Sequence, residues 1–184
     1  MTGFRVVGET TRAEAGFLAL SDVEVESDGG TRFTRVVVRH PGAVMVVPVD
    51  DDHEHVLLVR QYRASADRLL LEVPAGKRDV HGEEPEATAR RELEEEIGHR
   101  AEQLVPLCEC FMTPGFSDEY AYVYCALGLT ETERAAVGHE EQAMTIERVA
   151  LADVDRLIAG HEIVDAKTIV GLLLTRQHLA GAAP

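Results

Sequence analysis

Four glutamates fall within five positions, at Glu92, Glu94, Glu95 and Glu96, just before a glycine. On an α-helix each residue advances about 100°. With Glu92 as origin, Glu95 lies about 60° to one side and Glu96 about 40° to the other. Those three carboxylates share a face, and Glu94 points away. Like charges three and four residues apart repel, and the C-terminal end of a helix dipole disfavours anions. Two local rules are broken in one place, which often marks a functional site. A divalent cation would remove the conflict, because hard ions such as Mg²⁺ are held by a few carboxylates, water and substrate phosphates. Taken alone, an acidic run reads first as a solvated helix face, since glutamate is a good helix former.

The elements around the cluster follow from periodicity and punctuation. A helix is predicted over 85–97. Pro85 suits its first turn, Ala89, Leu93 and Ile97 recur every four residues as a core stripe, and Gly98 suits the left-handed position after its end. Residues 16–40 read as a β-hairpin, "FLALSDVEVES" and "TRFTRVVVRH" joined by "DGG". "GAVMVVPV" (42–49) is a continuous apolar strand expected to be buried on both faces. "VLLVRQYR" (56–63) is expected as its hairpin partner, and "LLLEVPAG" (69–76) as a strand stopped by Pro74 and Gly76. Strands are predicted over 103–111 and 119–129, with the turn "MTPGFSD" between them, and a short one at "TIERVAL". "LADVDRLIAG" and "DAKTIVGLLLTRQHL" read as amphipathic helices. No repeat, low-complexity tract or interdomain linker interrupts the chain. The pattern implies α+β, or a sheet between helices.

Composition bounds the function. The 184 residues suffice for a hydrophobic core, and 45% are hydrophobic. A formal charge of -15 disfavours nucleic acid and anionic membrane as partners, both being polyanions. No apolar run is long enough to span a bilayer, and the N-terminus lacks the basic-then-apolar pattern of a signal peptide. Cys108, Cys110 and Cys125 read as free thiols, and no histidines are spaced as His-Glu-x-x-His. The expected location is the cytoplasm.

Upstream of the acidic cluster stands "PAGKRDVHGEEPEATA". Gly76, Glu83 and then Arg91-Glu92-Leu93-x-Glu95-Glu96-x-Gly98 together resemble the Nudix box, the signature of hydrolases acting on nucleoside diphosphates linked to another moiety. Two positions depart from it. Six residues separate Gly76 from Glu83 where the pattern has five, and His99 stands where an aliphatic residue is usual. The extra residue precedes the helix and leaves its geometry alone.

The resemblance implies a Nudix fold: a mixed β-sheet sandwiched between helices (α/β/α), with a strand-rich N-terminal extension. It makes Glu92, Glu95, Glu96 and the Ala75 carbonyl the ligands of Mg²⁺, for which Mn²⁺ substitutes. Arg91 and Glu83 become an ion pair that orients the ligands, and Gly76 permits a tight backbone turn. "VRQYR", "LLLEVPAG" and "TPGFSDE" further resemble the ADP-ribose pyrophosphatase group. That likeness puts Arg63 and Glu119 at the substrate. It leaves Phe116 either stacked on a base or ribose or packed locally. A base on a loop after the preceding strand falls at Glu141, with Glu140 the neighbouring candidate. Residues 1–40 are expected to form a dimerisation part and 41–184 the catalytic domain, in a homodimer. The implied reaction is Mg²⁺-dependent hydrolysis of ADP-ribose to AMP and ribose 5-phosphate. A nucleotide-sugar or dinucleotide pyrophosphatase remains open, as does a non-catalytic ADP-ribose sensor. Such sensors usually lose box glutamates, and this chain keeps all of them.

Overall fold

The computed structural model describes residues 3–135 and 142–181. Two compact units emerge, one from residues 1–42 with 110–121, the other from 43–109 with 122–184. Among the described residues no helix is long and apolar enough to cross a membrane.

The first unit is built on a three-stranded antiparallel sheet, β1 (Phe4–Ala15), β2 (Leu18–Ser27) and β3 (Arg32–Arg39). The β2–β3 hairpin is the predicted one. Its turn closes through the Ser27 N–H on the Thr31 carbonyl at 2.9 Å, with Gly30 at φ 77°. β1 was not foreseen, because its residues are mostly exposed and polar and present no apolar stripe. Cross-strand charges tie the sheet: Arg12 to Asp22 at 2.6 Å and Arg39 to Glu9 at 2.6 Å. Phe4, Val6, Phe17, Leu20 and Val36 stay exposed within this unit. Residues 110–121 join it through the Val38 N–H on the Phe116 carbonyl at 2.8 Å. The Asp118 carboxylate accepts the His40 N–H at 2.8 Å and Arg39 Nη1 at 3.0 Å.

The second unit carries two sheets. One runs β10 (Thr145–Ala150), β5 (His55–Arg63), β6 (Arg68–Glu72). The other runs β7 (Ala75–Lys77), β4 (Ala43–Pro48), β9 (Tyr120–Glu131), β8 (His99–Phe111). The helices are α1 (Pro85–Ile97), α2 (Val154–Ala159), which a short 3₁₀ turn at Leu151–Asp153 introduces, and α3 (Ala166–Gly181).

β4 is buried at every position, as its unbroken apolar run implies. Val44 and Val46 join Ala89, Leu93 and Ile97 of α1 in one core, while Val47 lies against Gly171 of α3. The strand thus has a helix on each side, and the expected helix–sheet–helix arrangement holds. Two strand expectations need correction. β5 is not the ladder partner of β4, because β7 and β9 occupy both edges of β4. A single bridge, Val49 to Val56, is what remains of that pairing. The strand read over 69–76 and stopped by Pro74 and Gly76 ends at Glu72, ahead of Pro74, and Gly76 stops nothing but sits inside β7.

Candidate active site

Helix α1 spans the predicted residues, Pro85 to Ile97. Ala89, Leu93 and Ile97 are buried, and Gly98 closes the helix at φ 65°, ψ 41° with its N–H on the Glu94 carbonyl at 3.1 Å. The buried stripe fixes which face remains for the acids. Glu94 turns outward to Arg100 at 2.9 Å, whereas Glu92 and Glu96 are only 8% and 5% exposed.

Each of the three acids on the inner face has a defined partner. Glu96 Oε2 accepts the Ala75 N–H at 3.0 Å. Arg91 Nη1 donates to Glu92 Oε1 at 2.8 Å and to Glu95 Oε2 at 2.9 Å. The other edge of the same guanidinium reaches Glu83 at 3.3 and 3.4 Å. Thr88 Oγ1 donates to Glu83 Oε2 at 2.8 Å. That hydrogen bond, then Arg91, holds the Glu83 carboxyl below the usual carboxylate value. Burial works against the Arg91 charge, but Glu83, Glu92 and Glu95 outweigh it and raise its pKa. The six-residue spacing is absorbed before the helix: Gly82 takes φ 79°, and Glu83 still meets Arg91. His99 Nδ1 bonds the Ile97 carbonyl at 2.7 Å, so the unusual residue at this position caps the helix end.

Gly76 does a different job from the tight turn expected of it. Its backbone is not left-handed, and it lies within β7. A Cβ there would stand 1.8 Å from Cδ and 2.0 Å from Oε1 of Glu92. Glycine is needed because the Glu92 carboxyl lies directly over the strand.

Arg63 and Glu72 form the second feature. Arg63 Nε and Nη2 donate to the two Glu72 carboxylate oxygens at 2.9 and 2.6 Å, a bidentate pair. Glu72 is fully buried, and its hydrogen bonds raise the Arg63 pKa against the effect of burial. Behind Glu72 stands Lys167, 3.8 Å from Oε2 and 2.5 Å from Asp165 Oδ1. Sequence reasoning passed over Glu72, Lys167 and Asp165. A lone glutamate closing an apolar strand was the available signal for the first. Gln61, on β5 two residues before Arg63, is 4% exposed, and its Nε2 has no hydrogen-bond partner among the described residues.

Phe116 and Glu119 belong to the first unit. The Phe116 ring is exposed, and the Glu119 N–H donates to Ser117 Oγ at 3.2 Å. Glu140 and Glu141 fall outside the described residues.

The donor set suits a hard divalent cation: Glu83, Glu92 and Glu95 bring three carboxylates against the Arg91 guanidinium, Glu96 adds a fourth over the Ala75 N–H, and Glu92 and Glu96 are buried. Among the described residues no three such side chains already converge on one point. Glu92 and Glu95 each turn one oxygen to Arg91, Oε1 and Oε2 respectively.

A buried helix stripe that leaves an acidic inner face over a glycine strand defines a class. Residues 39–170 match the NUDIX domain family, and the chain belongs to it; by class it is a Nudix hydrolase. It is 39% identical over 180 residues to an ADP-ribose pyrophosphatase of Mycobacterium tuberculosis, across 98% of this chain and 86% of that protein. It is 39% identical over 145 residues to an ADP-ribose pyrophosphatase of Bacillus subtilis, across 79% of this chain and 77% of that one. Among solved structures it resembles an ADP compounds hydrolase, with a TM-score of 0.85 and 26% identity, over 98% and 96% of the two chains.

Proposed function

We propose that this protein hydrolyses the pyrophosphate bond of ADP-ribose, yielding AMP and ribose 5-phosphate. The observation that carries the reading is the shared face of Glu92, Glu95 and Glu96 set against the Ala75–Gly76 strand. Glu92, Glu95, Glu96 and the Ala75 carbonyl would hold Mg²⁺, or Mn²⁺ in its place. A cation held there would neutralise the diphosphate and lower the pKa of a bound water.

The chain's own residues do the rest. Arg91, held by Glu83, orients the Glu92 and Glu95 carboxylates. Arg63 presents its free edge to the substrate: Nη1 has no hydrogen-bond partner among the described residues. Phe116 stacks on the base or ribose, and Glu119 bonds a substrate hydroxyl. Glu141 accepts the proton of the attacking water, Glu140 being the alternative. Residues 1–40 mediate a homodimer, consistent with the apolar side chains their strands leave uncovered. Three free thiols agree with a cytoplasmic location.

The test is AMP release from ADP-ribose with Mg²⁺, with and without chelator, beside a panel of nucleotide-sugars and dinucleotide polyphosphates. We expect chelator-sensitive AMP release, fastest with ADP-ribose. Faster turnover of another panel member would overturn the substrate assignment.

A further inference from the structure

The candidate site depends on a five-residue segment, Glu72 to Gly76. It carries the partner of Arg63 at one end and the Ala75 carbonyl near the other. Pro74 breaks the strand between them, so the segment lacks a continuous ladder to hold it. Its ends are laddered, Glu72 opposite Val59 and Ala75 opposite Met45, and separate bonds hold the stretch between them. The Pro74 carbonyl accepts the Val46 N–H at 2.9 Å, and the Ala75 N–H goes to Glu96. A further bond comes from a distant part of the chain: the Val73 N–H donates to Thr168 Oγ1 at 2.9 Å.

Thr168 is fully buried in the first turn of α3. Its hydroxyl donates to Asp165 Oδ2 at 2.7 Å, and its N–H meets the same oxygen at 2.9 Å. The hydroxyl therefore has a fixed direction, with its lone pair aimed at Val73. The same turn supplies charge. Glu72 is a buried carboxylate and Asp165 a part-buried one, and Arg63 and Lys167 are the cations beside them. Lys167 bridges the acids, so Arg63 is not the sole counter-ion of both. Without Lys167, two carboxylates would draw on one guanidinium, and the subsite would become more negative toward an anionic substrate.

We infer that the first turn of α3 is a positioning device for the reaction site. Thr168 holds the segment bearing the Ala75 carbonyl, and Lys167 keeps Arg63 available through Glu72. This rests on the reading of Ala75 as a metal ligand and of Arg63 as a substrate contact.

The experiment uses the full chain with Thr168→Val, Thr168→Ser, Lys167→Met and Lys167→Arg. It measures melting temperature, Mn²⁺ affinity by electron paramagnetic resonance titration, and kcat and KM with ADP-ribose. Loss of a residue that orients a metal ligand typically costs at least tenfold in affinity. Folded Thr168→Val should bind Mn²⁺ about tenfold more weakly, with kcat reduced, and Thr168→Ser should recover both to within about twofold. Lys167→Met should raise KM about tenfold while Mn²⁺ affinity stays near wild type, and Lys167→Arg should reverse it. Wild-type Mn²⁺ affinity in Thr168→Val, or an unchanged KM in Lys167→Met, overturns the inference; should Thr168→Val not fold, the lysine pair decides. A wild-type protein inert to ADP-ribose sinks the substrate instead, since the Mn²⁺ titration reads the clamp without it.

Discussion

Gly76→Ala separates the fold from the chemistry. Gly76 has no left-handed backbone to lose, so alanine fits its φ and ψ, and fewer unfolded conformations add about 0.4–1 kcal/mol of stability. Space is the difficulty. The new methyl carbon would begin 1.8 Å from Glu92 Cδ, and ordinary contact starts near 3.4 Å, so the carboxyl must retreat by about 1.6 Å. The obstacle is the end of a flexible side chain, which can yield without moving the strand. Metal–oxygen bonds of about 2.0–2.1 Å tolerate no such retreat. A misplacement of about 1 Å costs roughly a hundredfold in rate, about 2.7 kcal/mol at about 1.36 kcal/mol per decade. We expect kcat/KM for ADP-ribose to fall about a hundredfold while the thermal midpoint holds or rises slightly. Both are read on one preparation, by AMP release and by calorimetry. A folded alanine variant within about threefold of wild-type kcat/KM would refute the reasoning, as would a large drop in melting temperature.

Glu96→Gln tests the neighbouring ligand. The amide oxygen can still accept the Ala75 N–H, so the fold should survive, while the lost charge should reduce Mg²⁺-dependent turnover by orders of magnitude; near-normal turnover in the folded variant would remove Glu96 from the ligand set. Asp165→Asn tests a pH dependence. Burial pushes the Asp165 carboxyl up, but Lys167 and Thr168 outweigh burial and leave its pKa below the ordinary 3.8. A lowered folded-state pKa gives stability that is present above the unfolded value and lost as pH falls through the folded one. Wild type should therefore melt above Asp165→Asn at neutral pH, and the gap should close below about pH 4. A gap of constant size across pH 3 to 7 would show that the charge contributes nothing.

How far the sequence could be read depended on how local each determinant was. Helix α1 was legible residue by residue because its stripe, its Pro85 start and its Gly98 stop are all near neighbours. The β2–β3 hairpin was legible from its turn. The partner of β5 was not: chain proximity suggested β4, whereas both edges of β4 are taken by strands from later in the sequence. β1 was missed because an exposed strand need not alternate. At the site, the acidic face was visible from helix geometry, but the reason for Gly76 was not. It lies in Glu92, sixteen positions downstream. Glu72, Lys167 and Thr168 had no pattern to reveal them, since 95 residues separate Val73 from the hydroxyl it binds. "DAKT" reads as the opening of an amphipathic helix, and its link to Glu72 and Val73 exists only after folding.

Gly171 lies on the side of α3 that faces β4. With no side chain there, α3 comes so close to β4 that a methyl carbon would sit 2.9 Å from Val47 Cγ2. Valine is stiff at χ1 and buried, so neither partner has slack. That missing methyl acts as a gauge block: it sets the depth at which the helix lies on the sheet. The depth in turn fixes how far Thr168 reaches. Any larger residue at 171 would lift the helix like a shim, and the hydroxyl three positions earlier would lose its grip on Val73 before the core itself came apart.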